Sequence, residues 1–345
     1  MKRYGNLFDK AFSKDNIYQA YLDARKGKRT KRSCFEFEKS LGTNIDDLYD
    51  RINSGIYKPD KYFKFEVFEP KKRTIHAPSF RDVVVQHAIY RIIYDIFDRS
   101  FIDTSFACRI GKGTHKAARY VKHSIQQCDG DSYILKLDVR KFFYSINRGI
   151  LRTLIERKIK DKRFIDVMML FAEMETADGI PIGNLLSQIY ALIFLNPLDH
   201  FVKRTLKIKR YVRYVDDFML IGVSRGECLA FRRQIIDFLW QTLGLTLSKS
   251  TIQRIRKGVN FCGYRMWRSL TVIRKHSLIK FTRAVKREKQ PSINSLLGHA
   301  KGTNSLPYMI SKLKEAIRNG KNLQIPQGFR RIRYIHLDRT RLQSA

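Results

Sequence analysis

Tyr214-Val215-Asp216-Asp217 lies between Lys209-Arg210-Tyr211-Val212-Arg213 and Phe218-Met219-Leu220-Ile221-Gly222-Val223. Short runs rich in Val, Tyr, Phe and Ile read as paired strands, and Asp at their junction favours a turn. The stretch is a hairpin with two adjacent carboxylates at its tip. One reading of that tip is an Asx turn that serves only its own backbone. The other is a site that needs acidic side chains held together.

Working outward, Tyr133-Ile134-Leu135-Lys136-Leu137 is a buried-strand pattern that ends at Asp138. If this strand neighbours the hairpin, Asp138, Asp216 and Asp217 converge from distant sequence. Like charges at one spot raise one another's pKa. Mg²⁺ removes that cost and prefers oxygen ligands. Two such ions about 3.5–4 Å apart activate a primer 3′-hydroxyl and stabilise leaving pyrophosphate, which is polymerase chemistry. No rival metal site is visible. The histidines are scattered, and His87 reads as a helix residue. Cys34, Cys108, Cys128, Cys228 and Cys262 form no C-x-x-C pair, which argues against zinc and a disulfide framework and for a reducing, intracellular setting.

The 345-residue chain is 43% hydrophobic and carries a formal net charge of +36, so it builds a sizeable core and seeks an anionic partner. Nucleic acid is the commonest polyanion. An acidic membrane surface competes, but no apolar run is read as long enough to span a bilayer, and no signal-peptide pattern follows Met1. A cytoplasmic protein without membrane contact is expected.

Residues 1–60 read as basic and helical, with a helix start at Ser13-Lys14-Asp15-Asn16 and a charged loop at 25–32 suited to phosphate. Tyr62 to Phe68 alternates as a strand, residues 69–73 break it, and Thr74-Ile75-His76 resumes. Apolar spacing predicts helices over 80–97, 148–172, Leu185 to Phe201 and 227–243. Strand-like pieces follow to Met266, and the basic remainder from about 270 is mostly helical.

The ordered set Leu137-Asp138-Val139-Arg140-Lys141-Phe142-Phe143, Gly179-Ile180-Pro181-Ile182-Gly183-Asn184-Leu185-Leu186-Ser187-Gln188, Tyr214-Val215-Asp216-Asp217 and Phe261-Cys262-Gly263-Tyr264 resembles a reverse transcriptase from about Glu69 to Tyr264. The resemblance implies an α+β right hand, its palm an antiparallel sheet backed by helices and its thumb helical. The implied divisions are a basic N-terminal extension (1–60), fingers (61–115 and 146–181), palm (116–145 and 182–267) and thumb with basic tail (268–345). It implies an RNA-directed DNA polymerase that uses two Mg²⁺ ions, with Mn²⁺ a possible substitute. Asp138 and Asp216 would be the principal ligands, and Asp217 would complete the cluster.

Other roles are implied position by position. Arg73 would hold the triphosphate, since a guanidinium grips phosphate oxygens bidentately. Arg109 would support nucleotide or template. Phe143 would exclude a 2′-hydroxyl by its bulk, with one of Phe142 and Phe143 in the core. Lys249 matches a basic position near the metals. Lys112, Lys301, Arg330, Arg331 and Arg333 would grip nucleic acid.

Most members carry Gln where Ile182 stands and Pro where Gln188 stands. The pattern I-G-x-x-x-S-Q, with Ile182, Gly183 and Gln188, resembles the enzymes of diversity-generating retroelements, which misincorporate opposite template adenine. That resemblance implies a bacterial or phage-encoded enzyme working with structured template RNA, an RNA/DNA hybrid, dNTPs and a small basic accessory protein or other subunits. No RNase H or endonuclease segment is apparent. An antiphage-defence or retron enzyme is the alternative, although the retron N-A-x-x-H and V-T-G segments are not found. A catalytically silent RNA-binding protein is a third reading, and the intact carboxylates argue against it.

Overall fold

The computed structural model describes residues 3–68 and 72–329. The first half contains α1 (Phe8–Ala11), α2 (Lys14–Ala24), α3 (Arg32–Lys39), α4 (Leu41–Asn53), β1 (Phe63–Phe68), β2 (Lys72–Ala77), α5 (Phe80–Asp98), α6 (Thr114–Gln126), β3 (Tyr133–Val139), α7 (Arg148–Glu156) and α8 (Lys162–Leu170). The second contains α9 (Leu185–His200), β4 (Tyr211–Tyr214), β5 (Asp217–Val223), α10 (Arg225–Leu243), β6 (Leu247–Arg254), β7 (Val259–Phe261), β8 (Tyr264–Met266), β9 (Thr271–Ile273), α11 (Lys275–Lys286), α12 (Gln290–Ala300) and α13 (Leu306–Arg318). The strands form three sheets: β1-β2, β4-β5-β3-β6 and β7-β8-β9. The β1-β2 pair is antiparallel, in register from Phe63↔Ala77 to Phe68↔Lys72.

Two compact units divide the chain. One comprises Met1–Gly111, Lys136–Met219 and Leu229–Thr251; the other comprises Lys112–Leu135, Leu220–Cys228 and Ile252–Ala345. In the first, α2, α5 and α9 supply much of the core. Eleven residues of α9 are buried, from Leu186 to Asp199. Fully burying one Leu, Ile or Phe side chain contributes roughly 1.5–3 kcal/mol, so this helix is a main source of cohesion. In the second unit, α11, α12 and α13 bury Phe281, Ile293, Leu297, Met309 and Leu313.

Local chemistry explains where elements begin. Ser13 caps α2 by accepting from the Asn16 amide at 3.2 Å. The helix expected over 148–172 is two helices, because the Asp161 carboxylate caps α8 at Phe164 N and also accepts from Leu7 N (2.8 Å) and Phe8 N (2.9 Å). The N-terminal segment therefore holds the break open. β2 begins at Lys72, so Arg73 stands on a strand and not in the preceding turn. The remainder after 270 opens on a strand, β9, before its helices.

One expectation about membranes is corrected. The helical run Leu185–Thr205 is long and apolar enough to cross a bilayer by length and composition. Two thirds (67%) of its most apolar 18-residue stretch is buried inside the protein, which explains the composition by packing.

Candidate active site

Only Val215 and Asp216 separate β4 from β5, so the hairpin is as tight as its sequence implied. Val215 takes a left-handed conformation (φ 55°), which is costly for a β-branched residue. The compensation lies beneath it. Arg213 is fully buried and donates to the Val215 carbonyl at 3.0 Å. Its guanidinium is clamped by buried Asp199 of α9, through Nε–Oδ1 at 2.7 Å and Nη2–Oδ2 at 2.5 Å. Tyr211 donates to the same carboxylate at 2.8 Å. Burial works against the Arg213 charge, but Asp199 outweighs it, so the proton is held more firmly than usual.

β3 lies beside β5, and the Val139 amide donates to the Asp216 carbonyl at 3.3 Å. Asp138 therefore ends its strand next to the acidic turn. Burial pushes the Asp216 carboxyl up to about 6; the Asp138 charge adds to this, Asp217 adds less, and Arg73 opposes it. Asp138 is held from β6, where Ser248 Oγ donates to its Oδ2 and its carbonyl. Asp217 forms an ion pair with Lys136 Nζ at 2.8 Å. Among the described residues, no three His, Cys, Asp or Glu side chains are already gathered to hold an ion. Asp138 and Asp217 both act on Asp216, Asp138 the more strongly, and Asp217 also pairs with Lys136. An all-oxygen pair whose buried member resists ionisation fits a hard divalent cation, which would supply the missing positive charge.

The Asp216 shift has a measurable sign. The folded protein keeps a proton that the unfolded chain releases above the ordinary value of 3.8. The contribution of this carboxyl to metal-free stability is therefore full below that pH and is lost as pH rises toward 6. Asp216→Asn in EDTA should match wild type at pH 4 and melt at a higher temperature at pH 7.5. A stability difference independent of pH would show that this carboxyl is not under strain.

The family model for reverse transcriptase (RNA-dependent DNA polymerase) matches residues 56–266, more than half the chain. The chain belongs to the reverse transcriptase family. Its helices and antiparallel sheets are those of the right-hand polymerase fold, and RNA-directed DNA synthesis is the activity of this family. Protein YkfC of Escherichia coli K12 is 25% identical over 281 residues, covering 66% of this chain and 72% of YkfC. Group II intron-encoded protein LtrA of Lactococcus lactis is 24% identical over 349 residues, covering 78% of this chain and 58% of LtrA. The chain thus spans less than two thirds of LtrA. A structure of Candida albicans telomerase with a telomeric RNA fragment aligns with TM-score 0.46 at 12% identity, covering 81% of this chain and 61% of that one.

Two glycine turns suspend the other reverse-transcriptase motifs. Gly183 has φ 116°, and a Cβ there would stand 2.7 Å from Ile75 Cγ2 and 3.1 Å from the His76 carbonyl. This close approach lets His76 N donate to the Ile182 carbonyl at 2.7 Å, docking β2 and its Arg73 onto the start of α9. Asn184 caps that helix through Ser187 N at 2.8 Å. Gly179 (φ 97°) lies equally close to the Tyr144 backbone. Gly179 N and Ile180 N donate to Ile146 O and Phe143 O, each at 2.8 Å. They clamp the short turn that buries Phe142 and leaves Phe143 half-buried. Gln188 is exposed on α9.

The other basic residues expected at the site take varied positions. Arg109 is bound inside the protein, donating to Asp98 Oδ1 (2.6 Å), Ile102 O (2.7 Å) and Ser105 O (3.1 Å). Its side chain is only 7% exposed, so it braces a loop. Thr104 and Phe106 of that loop hydrogen-bond the Arg213 backbone, each at 3.0 Å, so the brace reaches the hairpin indirectly. Lys249 is exposed on β6, next to Ser248, the residue that donates to Asp138. Lys112 is half-buried just before α6, and Lys301 is exposed just after α12. Arg330, Arg331 and Arg333 lie outside the described residues.

Proposed function

We propose that this reverse transcriptase extends a primer on RNA by attack of the primer 3′-oxygen on the α-phosphorus of a dNTP, releasing pyrophosphate. The neighbouring pair Asp138 and Asp216, joined through Val139 N and Asp216 O, carries this reading. Mg²⁺ bound by these two carboxylates would activate the 3′-hydroxyl and offset charge on the leaving group. Arg73 holds the triphosphate, and its charge already reaches Asp216. Phe143, clamped from Gly179 and Ile180, blocks a 2′-hydroxyl by occupying its space. Asp217 with Lys136 keeps the hairpin tip oriented. Primer extension on an RNA template with dNTPs and Mg²⁺ tests this: DNA product that disappears with EDTA is expected, and no product would refute it.

The finer reading is error-prone copying of a structured template RNA, as in diversity-generating retroelements. Its support is Ile182, whose backbone holds β2 but whose aliphatic side chain offers no hydrogen bond where most relatives have an amide. Geometric discrimination of the incoming nucleotide loosens as a result. Ile182→Gln is expected to lower misincorporation opposite template adenine several-fold in sequenced products. An unchanged mutation spectrum would sink the proposal.

A further inference from the structure

We propose that Arg109 is a positioning residue for polymerisation: it fastens the loop of residues 101–109 to the outer edge of β4 and so sets the acidic turn. The inference rests on the reading that Asp216 holds the catalytic metal. β4 is the outermost strand of its sheet, so one of its edges has no strand beside it. Such an edge presents unpaired backbone N–H and C=O groups. The loop covers it at one point. Ser105 pairs with Arg213 as a parallel bridge, with Arg213 N donating to Thr104 O and Phe106 N donating to Arg213 O, each at 3.0 Å. Arg213 is also the residue whose side chain is clamped by Asp199 and donates to the Val215 carbonyl. The left-handed turn that carries Asp216 therefore hangs on one residue held from two sides. Its side chain is held from α9, and its backbone is held from this loop.

The loop needs an outside hold. Between α5 and α6 the chain is irregular apart from that bridge. The hydroxyls of Thr104 and Ser105 are buried and find no hydrogen-bond partner among the described residues, so they do not fix it. Arg109 does. One guanidinium joins the end of α5, through Asp98 Oδ1 (2.6 Å) and Asp98 O (3.4 Å), to the loop carbonyls of Ile102 (2.7 Å) and Ser105 (3.1 Å). It also lies 5.6 Å from the centre of the Phe101 ring. A planar fork of donors can serve a carboxylate and several carbonyls together, whereas an ammonium is a point charge.

The consequence falls on rate and not on affinity. Releasing the loop frees the Arg213 backbone and lets the turn shift, while the surfaces that bind template and nucleotide keep their groups. A misplacement of about 1 Å caused far from the chemistry can cost about 10²-fold. Loss of an interaction that matters only in the transition state lowers the maximal rate and leaves half-saturation alone.

The test uses the full chain with Arg109→Met, which keeps an apolar stem and removes the donors, and Arg109→Lys, which keeps the charge. Single-nucleotide incorporation on an RNA template gives the maximal rate and the dNTP concentration at half that rate. Both variants should lose about 30-fold in maximal rate, with half-saturation within about twofold of wild type. Hydrogen exchange read by mass spectrometry needs no activity. Peptides covering residues 102–106 and 211–215 should exchange about tenfold faster in both variants, while α9 keeps its wild-type protection, which a global loss of stability would not allow. Arg109→Lys carries the test by itself if Arg109→Met does not fold. Three results would each overturn the proposal. Faster exchange in 102–106 alone would confine the brace to the loop. A raised half-saturation with the maximal rate kept would make Arg109 a nucleotide contact. Full activity in Arg109→Lys would make its charge sufficient. If wild type makes no DNA, or Asp216→Asn still makes it, the site reading falls, and exchange over 211–215 still decides whether Arg109 holds the hairpin.

Discussion

Asp216→Asn in the full chain is expected to cut primer extension on RNA by about 10³-fold. A metal site at a phosphoryl centre supplies several kcal/mol of charge stabilisation, and about 4 kcal/mol corresponds to that factor. Asp138→Asn should cost as much, because the Asp138 charge is the largest acidic influence on Asp216. Asp217→Asn should cost less, about tenfold, since its carboxylate is paired with Lys136 and acts on the tip of the hairpin. Single-turnover extension at saturating dNTP measures all three. The pairing of Asp217 with Lys136 predicts this asymmetry. Equal losses would make Asp217 a ligand on the same footing, and activity surviving Asp216→Asn would remove the site altogether.

The hairpin was legible because its strands adjoin in sequence and each runs in short β-rich stretches. Asp138 was legible because it ends an apolar run, and the order of motifs supplied the neighbour that no local pattern can supply. The internal partners of Arg109 were not legible, because a guanidinium bound to carbonyls and one awaiting phosphate look identical in sequence. Ser248 was missed because a single serine in a strand carries no signal. The Asp199–Arg213 pair did carry one. Asp199 lies within the apolar run of α9, and Arg213 lies between Val212 and Tyr214 on a buried strand. Either charge alone would be prohibitive to bury, so two opposite charges in two core segments call for each other.

That pair makes the second large expectation. Asp199→Asn, or Arg213→Met alone, should destabilise the protein by about 3–5 kcal/mol, because each leaves one uncompensated charge in a site of 0% exposure. Asp199→Leu together with Arg213→Met should recover part of that loss, since an apolar replacement of a buried pair is often neutral or better, while the buried Tyr211 hydroxyl loses its acceptor. Activity should not recover with stability. The double variant has no donor for the Val215 carbonyl, so the left-handed turn that carries Asp216 loses its support. Denaturant melts and extension rates on the same preparations separate the two effects. A double variant that is stable and polymerises at the wild-type rate would reduce the pair to a filler of space. A stable but slow one would show that α9 orients the acidic turn through Asp199 and Arg213.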